Sequence, residues 1–167
     1  MEGWRKGTRP DWVTPDGSLD PRKFPIDGVL RQALDEDAER FRGACSVLAM
    51  MAGHERREAG VFLLGLLSFN RDDLKRLAPV VRALGAFPTR EAMDALTAEL
   101  RRIPSTRSTR GYLNAVLEAL TRLPDDLVCD RLAELSADKS FSIGWRRRFQ
   151  GALERIEGYR AANDDYW

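Results

Sequence analysis

The sequence predicts an all-α protein: a short solenoid of about three and a half helix hairpins, preceded by an extended arm. Two observations lead to this class. The stretches "LAPVVRALGAFPTREAMDAL" (77–96) and "LNAVLEALTRLPDDLVCDRL" (113–132) lie 36 positions apart and carry apolar residues at matching places. No stretch alternates apolar and polar residues as a half-buried strand would. With 167 residues and 43% hydrophobic content, the chain is long enough to bury a core around such hairpins.

Residues 1–28 are predicted to form the arm, because they contain four prolines and four glycines and show no helical period. Their apolar side chains are too many for a solvated tail. We expect the arm to fold over the start of the solenoid as a cap on the apolar helix that contains Phe62 and Leu66. Two alternatives stay open: an open groove at Phe62 and Leu66, or recruitment of a partner by Trp4 or Trp12.

The first helix of each hairpin follows the spacing i, i+3, i+4, i+7, which places four apolar side chains on one face. Steps of 36 residues align four such helices. The aligned sets are Phe41, Ala44, Cys45 and Leu48; Leu77, Val80, Val81 and Leu84; Leu113, Val116, Leu117 and Leu120; and Phe149, Ala152, Leu153 and Ile156. All sixteen residues are apolar, so we expect these faces to form the core.

A second helix follows each of the first three, and its turn chemistry is visible in two of them. Thr89 and Asp125 each follow a proline and are predicted to cap the second helices of their units. The solenoid is expected to span 29–162, ending in a helix at about 143–162. Residues 163–167, "NDDYW", are then an acidic and aromatic tail, which either docks on another protein or folds back on the last helix.

The segment "ALGAFPTREAMDALTAEL" (83–100) resembles HEAT and HEAT-like repeats of the PBS-lyase type. It has a first helix ending in Ala-Leu-Gly, a short turn, and a Leu-rich second helix that begins with Glu-Ala. Pro79 fits the kink that such repeats carry in the first helix. The resemblance covers about residues 35–156 and implies a solenoid whose second helices line the concave face. Some members bind or repair DNA and some are bilin lyases or isomerases, but the pattern gives no catalytic residue to carry over. The other units depart from it at the position of Pro79, where they have Gly43, Ala115 and Gly151.

Composition argues against several functions. Lys and Arg total 27 against 26 for Asp and Glu, so no global field attracts nucleic acid or anionic lipid. We expect a soluble cytoplasmic protein with no membrane partner, because no apolar run reaches about 18 residues. His54 is the only histidine and no CxxC motif occurs, so we expect no metal, no cofactor and no histidine-based catalytic site. Cys45 and Cys129 are predicted to be core residues.

The function that the sequence favours is a non-catalytic scaffold that binds another protein. Exposed residues of the second helices, alternating in charge, would form the contact surface and select a partner by complementarity. The predicted partner-binding residues are Asp94, Thr97, Arg101, Asp130, Arg131 and Glu134.

The alternative is a nucleic-acid-binding module, because "RRIPSTRSTRG" and "WRRRF" combine arginines with hydroxyl or aromatic side chains. Acidic residues of the second helices, Glu99 among them, argue against it, since they would repel a duplex from the concave face. The candidate phosphate-binding residues are Arg102, Arg107, Arg110, Arg146, Arg147 and Arg148.

Overall fold

The computed structural model describes residues 10–164, with side chains up to residue 159. This part of the chain contains eight α-helices and no strand, which confirms the predicted all-α class. The helices are α1 Ile26–Gln32, α2 Ala38–Gly53, α3 Arg57–Phe69, α4 Leu74–Leu84, α5 Arg90–Arg102, α6 Arg110–Leu120, α7 Asp125–Ala137 and α8 Ile143–Asp164. None of these helices combines the length and the apolar character needed to cross a bilayer.

Helix starts follow local side-chain chemistry. The side chains of Asp37 and Asp73 accept hydrogen bonds from backbone N–H groups at the starts of α2 and α4. Thr89 caps α5 as predicted, by accepting from the N–H of Ala92 at 3.3 Å. The predicted cap at Asp125 is wrong: Pro124 occupies the cap position, and Asp125 is the first residue of α7, where its charge complements the helix dipole.

Alternate helices pack side by side: α2 contacts α4 and α4 contacts α6, while α3 contacts α5 and α5 contacts α7. Most consecutive helices also pack together, such as α2 with α3 and α5 with α6, and α8 rests on α7. Of the sixteen aligned apolar residues, fourteen are buried, whereas Leu117 and Ile156 are half-buried. The repeat therefore predicted correctly which face of each first helix enters the core. Cys45 is buried with 1% exposure, and Cys129 is half-buried.

Two close approaches fix how the helices meet. A Cβ on Gly60 of α3 would lie only 2.4 Å from the ring of Phe87, a residue of the turn after α4. A Cβ on Gly85 would stand 3.0 Å from the carbonyl oxygen of Ala119 on α6. At Gly60 a side chain would overlap the ring, so glycine is required there, whereas at Gly85 a Cβ would make a contact tighter than usual. In the turn between α2 and α3, Glu55 has a left-handed backbone with φ 68°.

The arm differs in part from its prediction. It was expected to extend to residue 28, whereas α1 begins at Ile26. Residues 10–25 form turns, with one antiparallel bridge between Val13 and Leu19. The arm is therefore a folded connection rather than a fully extended segment.

A single arginine holds the arm against the start of α3. The Nη1 group of Arg56 donates to the carbonyls of Pro21 at 3.3 Å, Arg22 at 3.2 Å and Phe24 at 3.0 Å. The ring of Phe24 also stacks edge-on against Trp12, with 5.2 Å between centroids. These contacts place the arm beside the N-terminal end of α3.

Leu66 of α3 is only 2% exposed, so it does not line an open groove, and Phe62 is half-buried. The same helix exposes Val61 and Phe69, which are 53% and 78% exposed. The predicted roles of Trp4 in the arm and of Tyr166 and Trp167 in the tail lie outside the described residues.

Candidate protein-binding surface

The predicted contact surface lies on the neighbouring helices α5 and α7, which one arginine connects. The Nη2 group of Arg131 on α7 donates to Asp94 Oδ1 on α5 at 3.0 Å. Its Nη1 group donates to Glu134 Oε2 at 2.9 Å. Arg131 is 26% exposed, whereas the two carboxylates are about 60% exposed, at 62% and 60%. The arginine is thus held between the helices while both acids face solvent.

A second ion pair joins the same two helices near their C-terminal ends. Arg101 Nη2 lies 3.5 Å from Oδ2 of Asp138, the residue that follows α7. Hydrogen bonds from Ser140 are the main cause that lowers the pKa of Asp138, with a smaller contribution from Arg101. Asp138 therefore stays charged at neutral pH and extends the predicted surface by one residue.

We define the α5–α7 ridge by six charged residues: the five that take part in the contacts of Arg131 and Arg101, and Asp130, the exposed residue next to Arg131 on α7. Four carboxylates against two arginines leave the ridge with an excess of negative charge. Its members are Asp94, Arg101, Asp130, Arg131, Glu134 and Asp138.

Thr97, which was predicted to be an exposed member of this surface, is buried with 3% exposure. Its hydroxyl oxygen has no hydrogen-bond partner. The prediction is wrong because α5 packs against four other helices: α3, α4, α6 and α7. These neighbours cover residues beside the solvent-exposed face of α5. Thr97 cannot contact a partner from this position.

Arg102 was a candidate phosphate ligand, but its guanidinium is already bound by a carboxylate. Its Nε and Nη2 groups donate to the two oxygens of Glu99 at 2.8 and 2.6 Å. Glu99 is only 6% exposed and also accepts from the hydroxyl of Tyr112 at 2.5 Å. Glu99 therefore does not charge the outer surface as the sequence suggested, and Arg102 neutralises it.

The pKa values of this cluster agree with a structural role. The bonds to Glu99 raise the pKa of Arg102 above its ordinary value. Burial, followed by the bond to Glu99, raises the pKa of Tyr112 well above its ordinary range. The three side chains form a satisfied polar cluster between α5 and α6.

The hydroxyl groups of the loop between α5 and α6 are occupied by contacts within the protein. The hydroxyl of Thr109 donates to the carbonyl of Pro104 at 2.6 Å and accepts from the N–H of Thr106 at 2.9 Å. Ser105 accepts from the indole Nε1 of Trp145 at 2.6 Å. These contacts shape the loop, while Arg107 and Arg110 remain exposed on either side of its turn.

The three arginines at the start of α8 face different surroundings. Arg148 donates to Asn114 Oδ1 on α6 and lies over the ring of Trp145. Arg146 is half-buried and its Nε atom has no partner, whereas Arg147 is exposed. Together with the bound Arg102, this arrangement does not gather the candidate phosphate ligands around one point.

The contact between Ser105 and Trp145 brings the two arginine-rich motifs together at a pocket of about 280 Å³. Apolar side chains such as Leu100 and Phe141 line it, with Arg101 among its lining residues. Among the described residues, no group of three or more His, Cys, Asp or Glu side chains is placed to hold a metal ion.

The sequence prediction did not include Asp138 in the contact surface, and it placed Glu99 on the outside of α5. The spacing of the charged residues, however, contained a signal for Asp138. Both ion pairs of the ridge join residues 37 positions apart, Asp94 with Arg131 and Arg101 with Asp138. That separation is one residue longer than the apolar repeat of 36, so each ion pair joins a residue to the neighbour of its equivalent in the next unit. The repeat therefore relates opposite charges as well as apolar residues.

No family model, no curated protein and no solved structure matches this chain.

Proposed function

We propose that the chain is a HEAT-like solenoid that acts as a non-catalytic scaffold and binds another protein through the α5–α7 ridge. Support for the solenoid comes from the burial of equivalent residues, such as Leu48, Leu84 and Leu120, in successive first helices. The side-by-side packing of alternate helices fits the stacking of hairpins in such arrays. A cytoplasmic location stays a prediction of the sequence.

The main support for the proposed function comes from the two ion pairs that join α5 and α7, Arg131 with Asp94 and Arg101 with Asp138. Arg131 and Arg101 hold the charged faces of two separate helices in one surface, so the side chains are partly ordered before a partner arrives. Because carboxylates outnumber arginines on this ridge, we infer a partner with a basic surface patch. Complementary charges would direct such a partner to the ridge and discriminate against acidic proteins.

A pull-down from the native cell, followed by mass spectrometry, tests the proposal. The wild type should retain a defined protein that Asp130→Lys/Glu134→Lys no longer retains, because the double substitution reverses the excess charge of the ridge. The matched control is Asp27→Lys/Glu36→Lys, which makes the same net change at two exposed acids near the arm. The control should retain the partner as the wild type does.

Equal recovery by all three proteins would contradict the ridge as the contact surface. Circular dichroism should show helical spectra and cooperative melts for each variant, since the four replaced side chains are exposed and surface substitutions change stability little. A loss that affects only the ridge variant then reports contact with the partner.

The nucleic-acid alternative receives less support, because Arg102 is bound to Glu99 and the loop hydroxyls are bound within the protein. It predicts that labelled DNA or RNA binds at about 50 mM salt and weakens steeply by about 200 mM. It also predicts that Arg107→Ala and Arg110→Ala each reduce the salt slope by about one contact. We expect no detectable binding in these conditions, and tight, salt-sensitive binding would reverse the order of the two hypotheses.

A further inference from the structure

The pocket of about 280 Å³ lies between the end of α5, the loop that follows it and the start of α8. We call it the α5–α8 pocket. Its walls are apolar and include Leu100 of α5, Leu113 of α6, Trp145 of α8 and Phe141 from the turn before α8. Its volume is slightly below the lower limit of about 300 Å³ for sites that hold drug-sized ligands, so a molecule with a single ring is the size that fits.

The aromatic walls of the pocket are held in place before any ligand binds. The indole Nε1 of Trp145 donates to Ser105 Oγ at 2.6 Å, and the guanidinium of Arg148 lies 5.0 Å from the centre of the indole ring. Trp145 and Phe141 both pack on the fully buried Phe149, with 5.7 and 5.1 Å between ring centroids. Because these rings need no ordering on binding, the pocket is pre-organised for an apolar ring.

The polar side chains of the pocket offer hydrogen-bond donors. Ser105 Oγ accepts from the indole of Trp145, and Ser142 Oγ accepts from the backbone N–H of Trp145 at 3.4 Å. Each of these hydroxyls keeps its own hydrogen to donate. Among the described residues that line the pocket, Arg101 is the only charged one.

The guanidinium of Arg101 is only partly used within the protein. Among the described residues its one partner is Asp138, which Nη2 contacts at 3.5 Å, longer than an ordinary N–H···O bond. Asp138 does not line the pocket, and it also accepts from the backbone N–H of Ser140 at 2.9 Å. The Nε and Nη1 groups of Arg101 are therefore free to bind a ligand.

The start of α8 adds to the positive potential of the pocket. Ser142 precedes α8 and Trp145 lies in its first turn, so the pocket lies beside the N-terminus of a 22-residue helix. The partial positive charge of a helix N-terminus favours an anion. The arginine, the serine hydroxyls and the helix end thus all favour a ligand that accepts hydrogen bonds and carries a negative charge.

We propose that the α5–α8 pocket binds a small carboxylate that carries one apolar ring. The ring lies among the walls formed by Leu100, Leu113 and the two aromatic side chains, where burial of its apolar surface supplies the affinity. The carboxylate accepts from Arg101, whose planar guanidinium can donate two parallel bonds to it, and from Ser142. The scaffold function needs no such ligand, so the inference goes beyond the proposed function.

Titration with phenylacetate, followed by the indole N–H signals in NMR spectra of isotope-labelled protein, tests the proposal. The signal of Trp145, assigned from its absence in Trp145→Phe, should shift and saturate. The Kd should be about 1 mM or lower, as ten non-hydrogen atoms of modest binding efficiency give. The signal of Trp12, whose ring packs on Phe24 in the arm, should not move.

Three related probes separate the contributions of ring and charge. Acetate lacks the ring, phenylacetamide lacks the charge, and phenethylammonium carries the opposite charge. Each should bind at least about 10-fold more weakly than phenylacetate, because each loses either the apolar contact or the charged bond to Arg101.

Substitutions locate the charge that selects the ligand. Arg101→Met should weaken phenylacetate binding at least about 10-fold and leave phenylacetamide binding unchanged. Asp138→Asn breaks the same ion pair but keeps the arginine, so it should bind phenylacetate as tightly as the wild type or more tightly. The matched control is Arg107→Met, at an exposed arginine of the neighbouring loop, which should bind like the wild type. Circular dichroism checks that each variant is folded; Arg101→Gln replaces Arg101→Met if that variant is not.

A Trp145 signal that does not move at about 10 mM phenylacetate would overturn the proposal. Equal shifts at Trp12, equal binding of phenylacetamide, or an Arg101→Met variant that binds phenylacetate like the wild type would also overturn it. So would inorganic phosphate that binds as tightly as phenylacetate, because the pocket would then be a simple anion site. The ridge variant Asp130→Lys/Glu134→Lys leaves the lining unchanged and should bind phenylacetate normally, so failure of the pocket and failure of the ridge are distinguished.

Discussion

Replacing Gly60 by alanine should destabilise the protein, because the ring of Phe87 occupies the space where a Cβ would lie. The ideal Cβ position is 2.4 Å from Cδ2 and Cε2 of that ring. An ordinary carbon–carbon contact is about 3.5 Å, so the ring must move by about 1 Å. Phe87 is only 5% exposed and its surroundings resist that movement.

The expected loss follows from two opposing effects. Overpacking of a buried contact costs about 1–3 kcal/mol. The better helix propensity of alanine returns up to about 1 kcal/mol. We therefore expect Gly60→Ala to lower the free energy of unfolding by up to about 2 kcal/mol, measured by urea denaturation followed with circular dichroism.

Gly65→Ala is the matched control, because Gly65 is exposed on the same helix and its Cβ would meet nothing within 4 Å. It should raise stability by about 0.5–1 kcal/mol through helix propensity alone. In a Phe87→Ala background, Gly60→Ala should no longer destabilise, since the obstructing ring is gone. If Gly60→Ala stabilises the wild type as Gly65→Ala does, Phe87 does not pack on Gly60 and the placement of α3 against the end of α4 is wrong.

Three further predictions test the core. Leu84→Ala and Leu120→Ala should each cost about 2–5 kcal/mol in urea melts, because both side chains are fully buried; losses below about 0.5 kcal/mol at both sites would contradict the repeat register. Thr97→Val should raise the melting temperature, with a gain of about 1 kcal/mol, because it removes a buried hydroxyl that has no partner; a lower melting temperature would mean that the hydroxyl is bonded. Burial raises the pKa of Cys45 from its ordinary 9.0 to about 12. As the pH rises, the thiol therefore loses its proton at a lower pH in the unfolded state than in the folded state. Stability present below pH 9 is therefore lost as pH rises toward 12, by up to about 1.4 kcal/mol per pH unit. Cys45→Ala should remove that part of the loss, and identical pH profiles would show that Cys45 is not buried.

The apolar repeat predicted the first helices well for a physical reason. Residues at i, i+3, i+4 and i+7 share one face, and a helix with one apolar face must bury it. Leu48 and Leu84 could therefore be assigned to the core without knowledge of the fold. The boundary of α8 was also close, since the helix ends at Asp164 and was expected to end at 162.

The polar residues were harder to assign, because their environment depends on lateral neighbours. Thr97 and Glu99 lie on α5, which packs against helices on several sides. The pattern of apolar residues within one helix predicts that such polar residues face solvent. In the folded protein the neighbouring helices cover them. Arg102 and Tyr112 both donate hydrogen bonds to Glu99 in this position, which the sequence does not indicate.

Site-specific photo-crosslinking in the native cell tests the proposed function most directly. A photoreactive residue at Ala98, which is exposed on α5 between Asp94 and Arg101, should crosslink one defined protein. The same residue at Gly43, on the exposed side of α2, should not. Addition of Asp130→Lys/Glu134→Lys should abolish the crosslink at position 98, because it reverses the charge of the ridge beside it. Equal crosslinking at both positions, or a crosslink at 98 that survives the charge reversal, would contradict the α5–α7 ridge as a protein-binding surface.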